Sequence, residues 1–159
     1  MNIRGFTLLE LLFVISLTAL LSAMIVSGGY YLFSQQKQRL MIGTLRQSLA
    51  FAKQAAMAQG EAVSLCAAAS DQTCGDNWAQ GILIFLDPHS TGQMQTDTLL
   101  IRVPPLLQTA QIVWKGFLPF PYIRFAADGL PHGYHGSFYV LHGHTQQVVL
   151  VINSLGRVR

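Results

Sequence analysis

Charge is scarce in this chain: of 159 residues only 11% are Asp, Glu, Lys or Arg, while 51% are hydrophobic. That excludes a disordered tail and a highly charged nucleic-acid arm, both of which need the opposite balance. Proline is absent from residues 6–59, so nothing there forbids a long helix. No charged side chain occurs between Glu10 and Lys37. Catalytic motifs are missing too, with no Gly-x-Ser-x-Gly, no His-Glu-x-x-His and no glycine-rich phosphate loop between a strand and a helix. Asp87, Asp97 and Asp128 fall on separate turns with nothing to pair them. The sequence therefore gives no argument for an enzyme, a cofactor or a metal, and it contains no internal repeat or low-complexity stretch.

What is present begins with an apolar run. From Leu11 to Phe33, 17 of 23 side chains are apolar, long enough to span a bilayer as a helix. Setting residues 1–36 aside leaves 123, enough for one modest core but not two. The small net charge of +3 hides an uneven distribution: +4 over residues 37–59, −5 over 60–99 and +4 over 100–159. One of the two basic regions is the C-terminus.

The N-terminus, Met-Asn-Ile-Arg-Gly-Phe-Thr-Leu-Leu-Glu, has one basic residue and a glycine before the apolar run. Leu21-Ser22-Ala23 is a poor cleavage site for a secretory signal. Glu10 argues against such a signal, since a carboxylate inside an apolar helix costs about 2.5–3.5 kcal/mol and needs a partner or a function. At Gly5, Phe6 and Glu10 the chain resembles type IV pilins and the pseudopilins of type II secretion. The resemblance implies that a prepilin peptidase removes Met1 to Gly5 and that Phe6 becomes an N-methylated terminus. It also implies that Glu10 pairs with the Phe6 amine of a neighbouring subunit. An ammonium and a carboxylate in hydrocarbon gain most by neutralising each other, which favours ordered docking of helices.

Tyr30, Tyr31 and Phe33 stand where an interfacial aromatic belt is expected, and Gln35 to Arg39 bring the chain into water. Met41, Leu45, Leu49, Ala52 and Ala56 recur at helical spacing and predict an apolar stripe facing a domain. Arg39, Arg46 and Lys53 share another face, either solvated or turned to an acidic partner. At about 1.5 Å per residue, a helix over 6–59 would be roughly 80 Å long. Gly28-Gly29 is its expected bend and Gly60 its expected stop.

Beyond Gly60 the pattern changes to short runs of Val, Ile, Leu, Phe and Tyr between turn residues. Strands are expected at 61–66, 78–86, 98–103, 110–115, 121–126, 137–142 and 146–153, with Arg157 to Arg159 as a final edge or tail. The connections are too short for crossover helices, so the strands should be antiparallel. The expected fold is α+β: a long N-terminal transmembrane and amphipathic α-helix packed on an antiparallel β-sheet or small β-sandwich, as in pilins. The expected segments are a leader at 1–5, a transmembrane segment at 6–36, the periplasmic half of the helix at 37–60 and a β-rich domain at 61–159.

Cys66 and Cys74 are the only cysteines and flank a polar loop. In a domain outside the inner membrane an even count suggests a disulfide, with two free thiols as the alternative. Zinc is disfavoured because no Cys-x-x-Cys spacing occurs. Four of five histidines fall within His132 to His144, and in an extended segment His142 and His144 would point to one face. A metal would need three or four converging nitrogens, so exposed loop histidines are expected.

The chain ends Asn-Ser-Leu-Gly-Arg-Val-Arg. In an extended segment Arg157 and Arg159 point to one side with Val158 opposite, and Gly156 lets the backbone turn. Two planar guanidiniums on one side suit phosphates. Together with Trp78 to Asp87 and Tyr122 to Gly129, this ending resembles the GspH/FimT group of pilin-like proteins. Members linked to natural transformation carry a Gly-Arg-x-Arg ending implicated in DNA binding. The resemblance thus implies a minor pilin that binds DNA through Gly156, Arg157 and Arg159, with Lys115 and Arg124 as further candidates. It implies other pilins, prepilin peptidase, DNA and the inner membrane as partners. The alternatives are a minor pseudopilin of type II secretion, whose basic end contacts another subunit, and an adhesin for another anionic surface. Many relatives have further cysteines in the last strands, where this chain has none, so a disulfide does not support its closing segment.

Overall fold

The structure, a computed structural model, describes residues 7–105, 111–142 and 145–159. Gly5, Phe6 and His144 lie outside the described residues, as do the side chains of Tyr30, Tyr31, Phe33 and His142. The chain divides into two compact units, Met1–Arg39 and Leu40–Arg159.

Helix α1 (Leu8–Gln59) begins in the first unit. Thr7 caps it, its Oγ1 accepting from the Glu10 N–H at 3.3 Å, which satisfies one of the free donors of a helix start. The apolar side chains from Leu8 to Leu21 are exposed to solvent in the single chain. Among the described residues no helix is long and apolar enough to cross a membrane. The described side chains of the apolar run stop at Ala23.

In the second unit the stripe Met41, Leu45, Leu49, Ala52 and Ala56 is buried, each residue at most 2% exposed. The spacing explains it, since steps of three and four residues return to one face of a helix. Arg39 and Arg46 are exposed and Lys53 is half-buried. The helix stops where Gly60 takes φ +69°, its N–H bonding the Ala56 carbonyl at 3.0 Å. That left-handed cap suits glycine because no Cβ meets the carbonyl.

Two antiparallel sheets share the core with this stripe. In sheet A, β1 (Val63–Ala68) is central. Both β2 (Cys74–Gly75) and, later in the chain, β6 (Tyr122–Phe125) pair along one side of it, at its end and its start respectively. On its other side lies β3 (Ile82–Leu86) and then β4 (Leu99–Val103). Sheet B runs in the order β5 (Gln111–Gly116), β7 (Gly136–His142), β8 (Thr145–Ile152). Trp78 joins the sheets, meeting Phe138 of β7 edge to face at 5.0 Å. Such a pair adds to the burial of two large rings.

The expected strand at 78–86 is corrected at its start: Trp78–Gln80 form a 3-10 turn. The Asn77 Oδ1 accepts from the Ala79 N–H at 3.1 Å and the Ile112 N–H at 3.0 Å. A short polar side chain that bonds nearby backbone displaces strand geometry in this way. The first strand begins two residues later than expected, after the Gly60 turn. Cys74 faces Ala68 across the β1–β2 pairing, and Cys66 and Cys74 form a disulfide with Cα atoms 5.6 Å apart.

Candidate nucleic-acid interface

The closing segment is tied back onto β8 by backbone hydrogen bonds and a single β-bridge. Asn153 organises the turn: its Oδ1 accepts from the N–H groups of Leu155 (3.1 Å) and Arg157 (2.8 Å). The Gly156 N–H returns to the Asn153 carbonyl at 2.9 Å, and Gly156 has φ +69°. A glycine in the left-handed region after such a turn is a standard way to reverse a strand. The chain then runs back along β8. Val151 and Arg159 exchange both N–H···O bonds at 2.9 Å, the Asn153 N–H reaches the Arg157 carbonyl at 3.1 Å, and Val158 bridges Ile152.

Alternation along this strand sorts the side chains. Val158 is half-buried against the core, while Arg157 and Arg159 are exposed. Among the described residues no carboxylate lies within ion-pair distance of either arginine. The nearby Asp128 is occupied: the Leu130 N–H bonds its Oδ1 at 2.8 Å and His132 bonds its Oδ2 at 2.7 Å. Those bonds, the Leu130 one first, hold its carboxyl below the usual range.

Lys115 joins the same face. It pairs with Ser137, Ser137 with Val151, and Val151 with Arg159, so all four stand in one row across sheet B. Directly opposed residues share a face. Lys115 donates to Gln146 Oε1 at 2.8 Å and lies 4.9 Å over the Tyr139 ring, yet remains exposed. Arg124 is not brought into this row. It belongs to β6 in sheet A, donates to the Ser90 carbonyl at 3.2 Å and covers the Tyr134 ring at 4.8 Å. Arg102 is likewise engaged, 2.7 Å from Asp71.

The other acids and histidines have local roles. Asp87 is buried, accepting from the Ser64 hydroxyl (2.7 Å) and the N–H groups of Thr91 (2.8 Å) and Gly92 (2.9 Å), and so staples a loop. Tyr122 and Tyr134 bring their hydroxyls to 3.2 Å, and burial first, then that bond, pushes the Tyr122 phenol up to about 12. Among the described residues no group of His, Cys, Asp and Glu could hold a metal. His135 departs from the expected exposed histidines: it is half-buried, with Phe117 stacked on its ring at 4.9 Å. Phe117, just past the end of β5 and two residues from Lys115, carries no motif or period that marks it in the sequence.

The prokaryotic N-terminal methylation motif matches residues 1–26. The family described as type II transport protein GspH matches residues 42–156. No curated protein matches the chain. Among solved structures it is similar to the type IV minor pilin FimU of Pseudomonas aeruginosa in two crystal forms. One has a TM-score of 0.59 at 20% identity, covering 79% of this chain and 89% of that one. The other has a TM-score of 0.54 at 20% identity, covering 79% and 90%. At that identity the likeness concerns the fold. The helix leading into antiparallel sheets, the methylation motif and a family match over most of the chain agree, and the chain belongs to the GspH/FimT family of pilin-like proteins, the minor pilins and pseudopilins.

Proposed function

We propose that this chain is a minor pilin of a type IV pilus that captures DNA for uptake in natural transformation. The observation that carries the reading is the pair Arg157 and Arg159, exposed and, among the described residues, without carboxylate partners on one side of a segment hydrogen-bonded to β8. Guanidiniums so held meet successive phosphates without first breaking ion pairs. Lys115, in the same row, adds a third cation. Gly156 serves by turning the chain, and Arg124 is left out because its strand lies in sheet A, outside this row. Binding of this kind is electrostatic and nearly blind to sequence, since no recognition helix or paired base-reading side chains accompany it.

The same reading assigns the N-terminus. Met1 to Gly5 form the leader, and Phe6 becomes the methylated terminus. Residues 6–36 span the inner membrane once, with 37–60 continuing the helix and 61–159 in the periplasm. On assembly the apolar helix surface from Leu8 to Leu21 is covered by neighbouring pilins, and Glu10 pairs with a neighbour's Phe6 amine. Exposed apolar surface of that extent supports burial in a membrane or an assembly.

The test is a gel shift of the full-length chain in detergent with a duplex fragment. Neutralising about two to four phosphates gives a slope of log affinity against log salt of about −2 to −4 and micromolar or weaker binding at physiological salt. Replacing Arg157 and Arg159 by Gln should abolish the shift and transformation together. If the double variant binds and transforms as the parent does, the second reading holds: a pseudopilin of type II secretion whose basic end contacts another subunit. The description of the matched family favours that alternative.

A further inference from the structure

Sheet B offers more than charge on its exposed side. Row by row, Lys115, Ser137, Val151 and Arg159 face outward, and the row Gly116, Gly136, Ile152 and Val158 alternates with it. One step further the backbone still pairs: the Phe117 N–H bonds the His135 carbonyl at 2.8 Å, and the Asn153 N–H bonds the Arg157 carbonyl at 3.1 Å. Phe117 and His135 stand just past the ends of β5 and β7, joined by that bond, and Phe117 is exposed as Lys115, Arg157 and Arg159 are. Phe117 is 73% exposed, an unusual place for a ring of its size. It is also held flat, stacked on His135 at 4.9 Å and 14°. Among the described residues the Nδ1 of His135 is buried without a hydrogen-bond partner.

We infer that Phe117, backed by His135, is a base-stacking position, so that the face prefers unpaired nucleotides to duplex. This deepens the DNA-capture reading and rests on it. A flat exposed ring beside a strip of cations is the combination that single-strand binders use: cations follow the phosphates and the ring takes any base, because every base has a π-face. In a duplex those faces are covered by neighbouring pairs, and only the phosphates remain available. Phe117 and Arg157 stand three strand spacings apart, about 14 Å, so a short run of nucleotides crosses from one to the other.

The experiment measures fluorescence anisotropy of three labelled probes of equal length with the full-length chain in detergent: an oligothymidylate, the same sugar-phosphate chain lacking its bases, and a duplex. The parent should bind the oligothymidylate about 5- to 150-fold more tightly than the abasic chain, the range a single stacked base supplies. Phe117→Ala should erase that advantage while leaving duplex and abasic binding within about twofold, since it removes no charge. Its exposure means the fold survives, which a thermal melt checks. Phe117→Trp should keep the advantage, and the new indole's emission should be quenched by the oligothymidylate alone. Equal binding of oligothymidylate and abasic chain by the parent overturns the stacking position and leaves DNA capture standing. So does an equal loss on all three probes for Phe117→Ala. Absence of binding to any probe overturns capture, and the stacking position with it.

Discussion

Gly156 is the residue on which presentation of the arginines turns, and replacing it by Ala tests that geometry. Its φ of +69° lies in the left-handed region, where a Cβ costs about 1–2 kcal/mol. The space is also tight: a Cβ there would lie 3.3 Å from Pro131 Cδ and 3.4 Å from both the Gly129 carbonyl oxygen and Phe125 Cε1. Pro131 would have to give by a few tenths of an ångström, while the other two approaches are ordinary contacts. The closing strand is held by few backbone bonds and by Val158, so it should open locally before the domain unfolds. Amide exchange reads this directly. The Val151 and Asn153 N–H groups, both bonded to the closing strand, should exchange about 5- to 30-fold faster in Gly156→Ala, the factor corresponding to 1–2 kcal/mol. DNA affinity should fall with Arg157 and Arg159 intact, because the two charges no longer share a fixed side. Gly156→Asn should recover part of the loss, as Asn tolerates the left-handed region. Unchanged exchange at both amides in Gly156→Ala would refute the account of the turn. Faster exchange with unchanged DNA affinity would show that charge alone, without the strand, is sufficient.

Mass spectrometry of the N-terminal peptide should find Phe6 methylated and first in the chain, and Glu10→Ala should stay in the membrane but fail to enter filaments; normal assembly would refute the charge pair. Replacing Cys66 and Cys74 by Ala should lower stability by about 2–3 kcal/mol, the loop-closure value for so short a loop, read by denaturant titration. Free thiols in protein isolated without reductant would contradict the disulfide. In an ultraviolet titration Tyr122 should ionise near 12. Because its folded value lies above the usual 10, its contribution to stability is complete below pH 10 and fades as pH rises toward 12. Ionisation of Tyr122 near pH 10 would refute the buried Tyr122–Tyr134 contact.

Much of the architecture could be read along the chain because it is written in local periods. The three- and four-residue steps from Met41 to Ala56 announce a buried helix face, and alternating runs announce strands, whatever lies elsewhere. The methylation motif and the ending Gly156 to Arg159 are contiguous and so legible. Where a side chain bonded outside its own segment, local reading failed: Asn77 turned Trp78–Gln80 away from the strand, and the two-residue β2 was too short to leave a period.

The candidate face was decided by tertiary structure. Lys115, Ser137, Val151 and Arg159 are neighbours only because two strand registers and a hairpin turn bring them into one row. A slip of one residue in any of these would send a side chain to the opposite face. Arg124 has the same charge and lies on an equally well-predicted strand, but pairing puts it in the other sheet, against Tyr134. Residue type and alternation along a strand belong to the sequence. Which strand lies beside which, and in what register, is a property of the closed core, since burial of one face selects among pairings that local patterns leave equal.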